Sequence, residues 1–194
     1  MPDDRFSQAI ARFDAANAED PIRVTVDGQP VGRELVYARR LSAWVDKLTS
    51  GQASEPLRLA ARCQHLCRWA IPRDQYPDGR VGYLKWREQL KKLHAEKAAG
   101  ILQAVGYDAA TIDRVRTIVL KKDLASDPDV QAMEDALCLF FLEEQFADLA
   151  AKEAPKIVDI VKKTWVKMSP RAHELALALP LAPAERAIVE KALQ

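Results

Sequence analysis

From Gly32 to the C-terminus, apolar residues recur at three- and four-residue spacing, and alternation by two is almost absent. That rhythm restricts the chain to packed helices. The GRELVYARRLSAWVDKL stretch carries Leu35, Ala38, Leu41, Val45 and Leu48 on one face, and Thr49-Ser50-Gly51 stops it. Ser54 then reads as an N-cap, with Glu55 and Pro56 in the first turn of a helix expected to run to about Ala70, before Pro72. Residues 71–82 are a Pro- and Gly-rich loop. A long helix is expected from Tyr83 to Val105, closed by Gly106, and another from Asp108 or Thr111. Residues 121–129 form a turn. A helix apolar almost all round in its middle follows, from Val130 to about Lys152, and such a pattern belongs at the centre of a fold. Pro155 ends it, and shorter helices cover roughly 156–167, 170–179 and 182–193.

Before this series, Phe6 to Ala16 forms a short amphipathic helix through Phe6, Ile10 and Phe13. IRVTVDGQPVG (22–32) is the one strand-like passage. Asp27-Gly28 suits the turn of a minimal hairpin, and an irregular loop fits the same residues equally well. The expected architecture is therefore all-α: one compact multi-helix domain over 1–194, with its core in 33–152. Residues 1–32 and the helices of 156–194 pack on that core.

The composition excludes several classes. A net charge of +1 supplies no global field for nucleic acid or anionic lipid, so anion binding must come from local arginine clusters. The longest apolar run, 136–142, falls far short of the ~20 residues that span a bilayer. The acidic, polar N-terminus does not read as a signal peptide, and a cytoplasmic, non-membrane protein is expected. Cys63, Cys67 and Cys138 are odd in number and lie in helical patterns, which suits buried small apolar residues better than a metal or redox motif.

Three segments place ionisable groups among apolar neighbours: LAARCQHLCRW (59–69), LKKLHAEKAAGIL (90–102) and VQAMEDALCLFFLEE (130–144). On the helix that Ser54 caps, Arg58, Arg62, His65 and Trp69 fall near one face, which either binds an anion or is a solvated, ion-paired surface. His94 lies on an apolar stripe, as a core histidine bonded to a carbonyl or as a site residue. Asp135 needs a proton, a metal or an arginine, with Arg58, Arg62 and Arg87 as candidates. Two histidines and an aspartate from three helices suit one divalent metal, since imidazole and carboxylate fit zinc, iron, nickel or manganese. A metal with an open position activates water, and arginines hold a phosphoryl group. Trp69, Tyr76, Tyr83 and Trp86 surround the loop at 71–82, where they either stack a base or roof the core.

The order of these segments resembles the HD-domain superfamily of all-α metal-dependent phosphohydrolases. The resemblance implies His65 and Asp135 as metal ligands and His94 as a second-site ligand or phosphate contact. The chain contains no His-Asp dipeptide, so one metal rather than two is the expectation. A fuller resemblance is to domain-of-unknown-function family 4202. It is carried by Glu34–Arg40, Ala61–Trp69, Ile71–Arg73, Tyr83–Arg87, the His94 segment, Gln131–Glu143 and Lys163–His173. It adds His173, which joins His65, His94 and Asp135 if the terminal helices fold back over the centre. The resulting expectation is a degenerate metal-dependent hydrolase of a phosphorylated small molecule or nucleotide. Asp135 and His94 would carry the chemistry, and Arg62, Arg73, Arg87 and Lys122 would hold the substrate. The alternatives are a non-catalytic nucleotide- or RNA-binding module with an arginine-rich pocket, and a helical scaffold with a structural polar core.

Overall fold

A computed structural model describes residues 4–194; residues 1–3, part of the acidic N-terminus, lie outside the described residues. Among the described residues there are ten α-helices and one two-stranded sheet. They are α1 (Arg5–Ala18), β1 (Arg23–Val26), β2 (Gln29–Gly32), α2 (Arg33–Leu48) and α3 (Glu55–Cys63), then α4 (Gly79–Ala104) and α5 (Ala109–Leu120). The series ends with α6 (Pro128–Phe140), α7 (Phe146–Lys152), α8 (Ile157–Trp165), α9 (Pro170–Leu177) and α10 (Pro183–Leu193). The protein is all-α with a minimal hairpin, and among the described residues no helix is long and apolar enough to cross a membrane.

Helices α2, α3, α5 and α6 pack on one another at the centre. Helix α1 lies across α2 and α3, α4 lies along α5, and the C-terminal helices join through α9 on α6 and α10 on α8. Phe13, Leu41, Leu59, Leu66, Leu102, Ile118, Met133 and Leu139 are among the side chains that fill the interior. Local chemistry sets the helix starts: Ser54 accepts from the Leu57 amide, Asp108 from Thr111, and Ser169 from Ala172. The hairpin closes at Val26 and Gln29, with Asp27 and Gly28 both at positive φ (49° and 76°), the combination a tight two-residue turn requires. Asp20 anchors its base by accepting from the amides of Ile22 and Glu34.

Two departures from the periodicity shape the interior. The helix expected to reach Ala70 ends at Cys63. The chain turns through 64–67, and Cys67 adopts a left-handed conformation at φ 54°. A contact remote in sequence holds this turn: the Asn17 side chain on α1 accepts the Cys67 amide proton at 3.2 Å. His65 therefore leaves the helical face it was expected to share with Arg58 and Arg62. The second departure is a π-helical turn at Phe141–Gln145 that divides the expected 130–152 helix into α6 and α7. Wide turns of this kind re-aim side chains and recur at functional sites.

Asn17→Ala tests the first departure. It leaves the buried Cys67 amide without its acceptor, at a cost of about 1–3 kcal/mol. The melting temperature should fall by roughly 2–4 °C per kcal/mol for a chain of this size. An unchanged melting temperature would mean that the turn stands without Asn17.

Candidate ligand-binding cavity

The cavity that these departures open has a volume of about 820 Å³ and is bounded by β1, α2, the turn after α3, α4, α6 and the π-turn. Seven lysines and arginines line it against four carboxylates, so it is locally basic in a nearly neutral chain.

Helix α4 supplies Arg87, Lys91 and His94 at i, i+4 and i+7, on one face. His94 is 2% exposed, and its Nδ1 lies 2.8 Å from the carbonyl oxygen of Leu66. A carbonyl only accepts, so Nδ1 carries the proton and Nε2 keeps a lone pair. That Nε2 is buried and, among the described residues, has no hydrogen-bond partner. Burial first, and the neighbouring His65 second, hold the His94 pKa down to about 3, so the ring is neutral at physiological pH.

His65, on the turn after α3, stacks on Tyr37 with ring centroids 4.2 Å apart, and its centroid is 5.7 Å from that of His94. Burial, then the positive charges of Arg68 and Lys121, keep it neutral as well. Tyr37 meets Phe140 edge-on at 4.4 Å, and burial keeps its phenol protonated. Glu34 is 3% exposed. Its Oε1 faces Arg33 at 3.4 Å and Arg68 at 3.9 Å, while Oε2 has only the His65 Nδ1 at 3.6 Å, too long for a hydrogen bond. Burial raises the Glu34 pKa despite the neighbouring guanidinium groups.

On the opposite wall, Lys121 follows α5 in a left-handed conformation at φ 56° and places Nζ 2.5 Å from Glu134. Lys167 approaches the same carboxylate at 3.4 Å. Burial alone would raise the Glu134 pKa, but the two ammonium groups outweigh it and hold it below its usual value. Arg40 pairs with Glu144 on the π-turn. Arg68 lies over Trp86, whose indole N–H donates to Ile71. Among the described residues, no carboxylate pairs with Arg87 or Lys91. Cys138 lines the wall, but burial pushes its thiol up to about 12, which makes it a poor nucleophile.

Of the residues expected at a site, the cavity brings together His65, His94 and Arg87. Asp135 instead accepts from the Ser169 amide (2.9 Å), the Ser169 hydroxyl (2.5 Å) and the Gln131 side chain (2.9 Å), fastening α6 to the start of α9. His173 stacks on Trp165 and bonds its carbonyl oxygen. Arg62 pairs with Asp14 on α1. Arg73 donates to the carbonyls of Tyr76 and Pro77, stapling its own loop. Lys122 is exposed and outside the cavity lining, and its neighbour Lys121 takes that place. Glu34, Tyr37, Arg68, Lys121 and Glu134 are cavity residues that the periodicity did not single out.

The four expected metal ligands thus do not converge. Among the described residues, no group of three or more His, Cys, Asp or Glu side chains is placed to hold a metal ion. The cavity offers a metal two imidazoles, and the His65–His94–Asp135–His173 set does not fit one. Of the aromatic side chains around the 71–82 loop, Trp86 is buried against the core and Tyr83 borders the cavity.

Fold and cavity together define an all-α protein built around a basic, histidine-floored interior site. The model of the family described as domain of unknown function 4202 matches residues 7–189, and the chain belongs to that family. No curated protein and no solved structure matches the chain.

Two measurements follow from this geometry. Asp135→Ala strands the Ser169 amide and hydroxyl, and stability should drop by about 2–4 kcal/mol with loosening of α9 in hydrogen exchange. For pH, unfolded imidazole takes up a proton near 6.5, whereas folded His94 does so only near 3. Its contribution is complete above pH 6.5 and is lost as pH falls toward 3, by about 1.4 kcal/mol per pH unit. Glu34, with its raised pKa, acts in the opposite sense above its unfolded value of 4.5. His94→Asn keeps a donor for Leu66 and removes the titration. Between pH 7 and 5.5 wild type should lose about 1 kcal/mol more than this variant; parallel melting curves would mean that His94 titrates normally in the fold.

Proposed function

We propose that the protein binds a phosphorylated small molecule or nucleotide in the cavity between α2, α4 and α6. One observation carries this reading: Arg87 and Lys91 border the cavity with no carboxylate partner among the described residues, beside the neutral imidazoles of buried His94 and half-buried His65. An arginine fork and a lysine ammonium suit a phosphate group. The remaining cavity cations are engaged, Arg33 and Arg68 with Glu34, Lys121 and Lys167 with Glu134, and Arg40 with Glu144. They sustain the positive field while Arg87 and Lys91 meet the ligand.

A second reading, metal-assisted hydrolysis of the same kind of ester, rests on the paired imidazoles of His65 and His94 and requires ligands beyond these two. Elemental analysis of chelator-free wild type and His65→Ala tests it. Stoichiometric metal lost in the variant would favour hydrolysis over simple binding.

Calorimetric titration with adenosine 5′-monophosphate and with inorganic phosphate tests the first reading. Binding should weaken as salt rises, and Arg87→Ala or Lys91→Ala should each lower affinity about 10-fold, the effect of losing one charge-assisted hydrogen bond. No heat and no thermal shift at millimolar concentrations of either compound would overturn it.

A further inference from the structure

The cavity floor is specific about what it accepts. His94 Nε2 and Glu34 Oε2 are both buried, their residues line the same cavity, and both atoms lack a hydrogen-bond partner among the described residues. Because Nδ1 of His94 is committed to the Leu66 carbonyl, Nε2 offers only a lone pair. The free oxygen of Glu34 is likewise an acceptor whenever the carboxylate is ionised. Buried acceptors left unfilled cost about 1–3 kcal/mol each, so the floor calls for donors. A divalent cation is a poor candidate, because Arg33, Arg68, Arg87 and Lys121 surround these atoms with positive charge. A neutral hydroxyl meets no such repulsion.

Resting on the phosphate-binding reading above, we propose that the ligand is a phosphorylated polyol: a sugar phosphate, or the ribose phosphate of a nucleotide. Its hydroxyls donate to His94 Nε2 and Glu34 Oε2, and its phosphate is held by Arg87 and Lys91. The spacing suits such a molecule. Arg87 to His94 spans seven residues of α4, about 10 Å along the axis, with Lys91 between them. That is the reach of a pentose phosphate with its phosphate at the exposed arginine and its ring at the buried histidine. The Tyr37–His65 stack gives the floor a rigid wall beside the sugar.

The test titrates ribose 5-phosphate, adenosine 5′-monophosphate and methyl phosphate into the full chain, with chelator present throughout. Methyl phosphate carries the anionic group without hydroxyls. Ribose 5-phosphate should bind wild type about 10-fold or more tightly than methyl phosphate, and tighter binding of the monophosphate nucleoside would mark the nucleotide as the source. In His94→Asn the preference for ribose 5-phosphate over methyl phosphate should collapse toward one, with methyl phosphate affinity unchanged. Glu34→Gln provides a second variant should the first fail to fold, and it should reduce the same ratio. Equal affinities for the two esters in wild type, or a ratio unmoved in the variants, would overturn the polyol assignment while leaving phosphate binding intact. Absence of binding by all three compounds would overturn both readings. Binding that appears only when chelator is replaced by a divalent metal would overturn the assignment in favour of a metal bridge.

Discussion

The hydrogen bond from the His94 imidazole to the Leu66 carbonyl ties the longest helix to the turn that interrupts α3, and the cavity depends on it. It determines which nitrogen of the ring is protonated, and so which one points its lone pair away from the backbone. It exists only because the chain leaves the helix at Cys63. Had α3 continued to Ala70, the Leu66 carbonyl would have been taken within the helix by the amide four residues on. In the turn the Ala70 amide bonds the Cys67 carbonyl instead, which leaves the Leu66 carbonyl to α4, while the Asn17 side chain on α1 holds the Cys67 amide.

Charge is arranged in the same economical way. Seven basic groups around one cavity would repel one another, and Glu34 and Glu134 each hold two of them in place from buried positions. The surplus falls on α4, where Arg87 and Lys91 border the opening. Histidines set in such a field resist protonation for two reasons, desolvation and like charge, which keeps the floor neutral below a basic mouth.

The helices were legible in the sequence because their stripes and caps are local. Ser54 caps where the sequence places it, Asp108 is one of the two starts offered for α5, the helix expected from 170 begins at Pro170, and of the two readings of 22–32 the hairpin with its turn at Asp27-Gly28 is the one found. The site was legible only in part, because facing is a matter of single residues. Asp135 is the more conspicuous acid among apolar neighbours, yet Glu134, one position earlier, faces the cavity, while Asp135 fastens α9. Lys121 rather than Lys122 is turned inward for the same reason. Nothing near Asn17 or Cys67 in sequence signals their contact, so the break in α3 could not be read there, and with it the true position of His65 was missed. Glu34 stands in the first turn of α2, where an acid suits the helix N-terminus, and nothing in its local sequence marks it as buried.

Lys121 carries one more implication. A lysine at φ 56° occupies a conformation that disfavours any side chain by roughly 1–2 kcal/mol and in which glycine is at ease. The end of α5 could have been made more comfortable locally, but only by removing the ammonium that neutralises Glu134. Local and global preferences therefore conflict at this residue, and the global one prevails. Asp27, Ser50, Cys67 and Asp123 share this left-handed conformation, but at Lys121 it sets a charged group into the cavity wall.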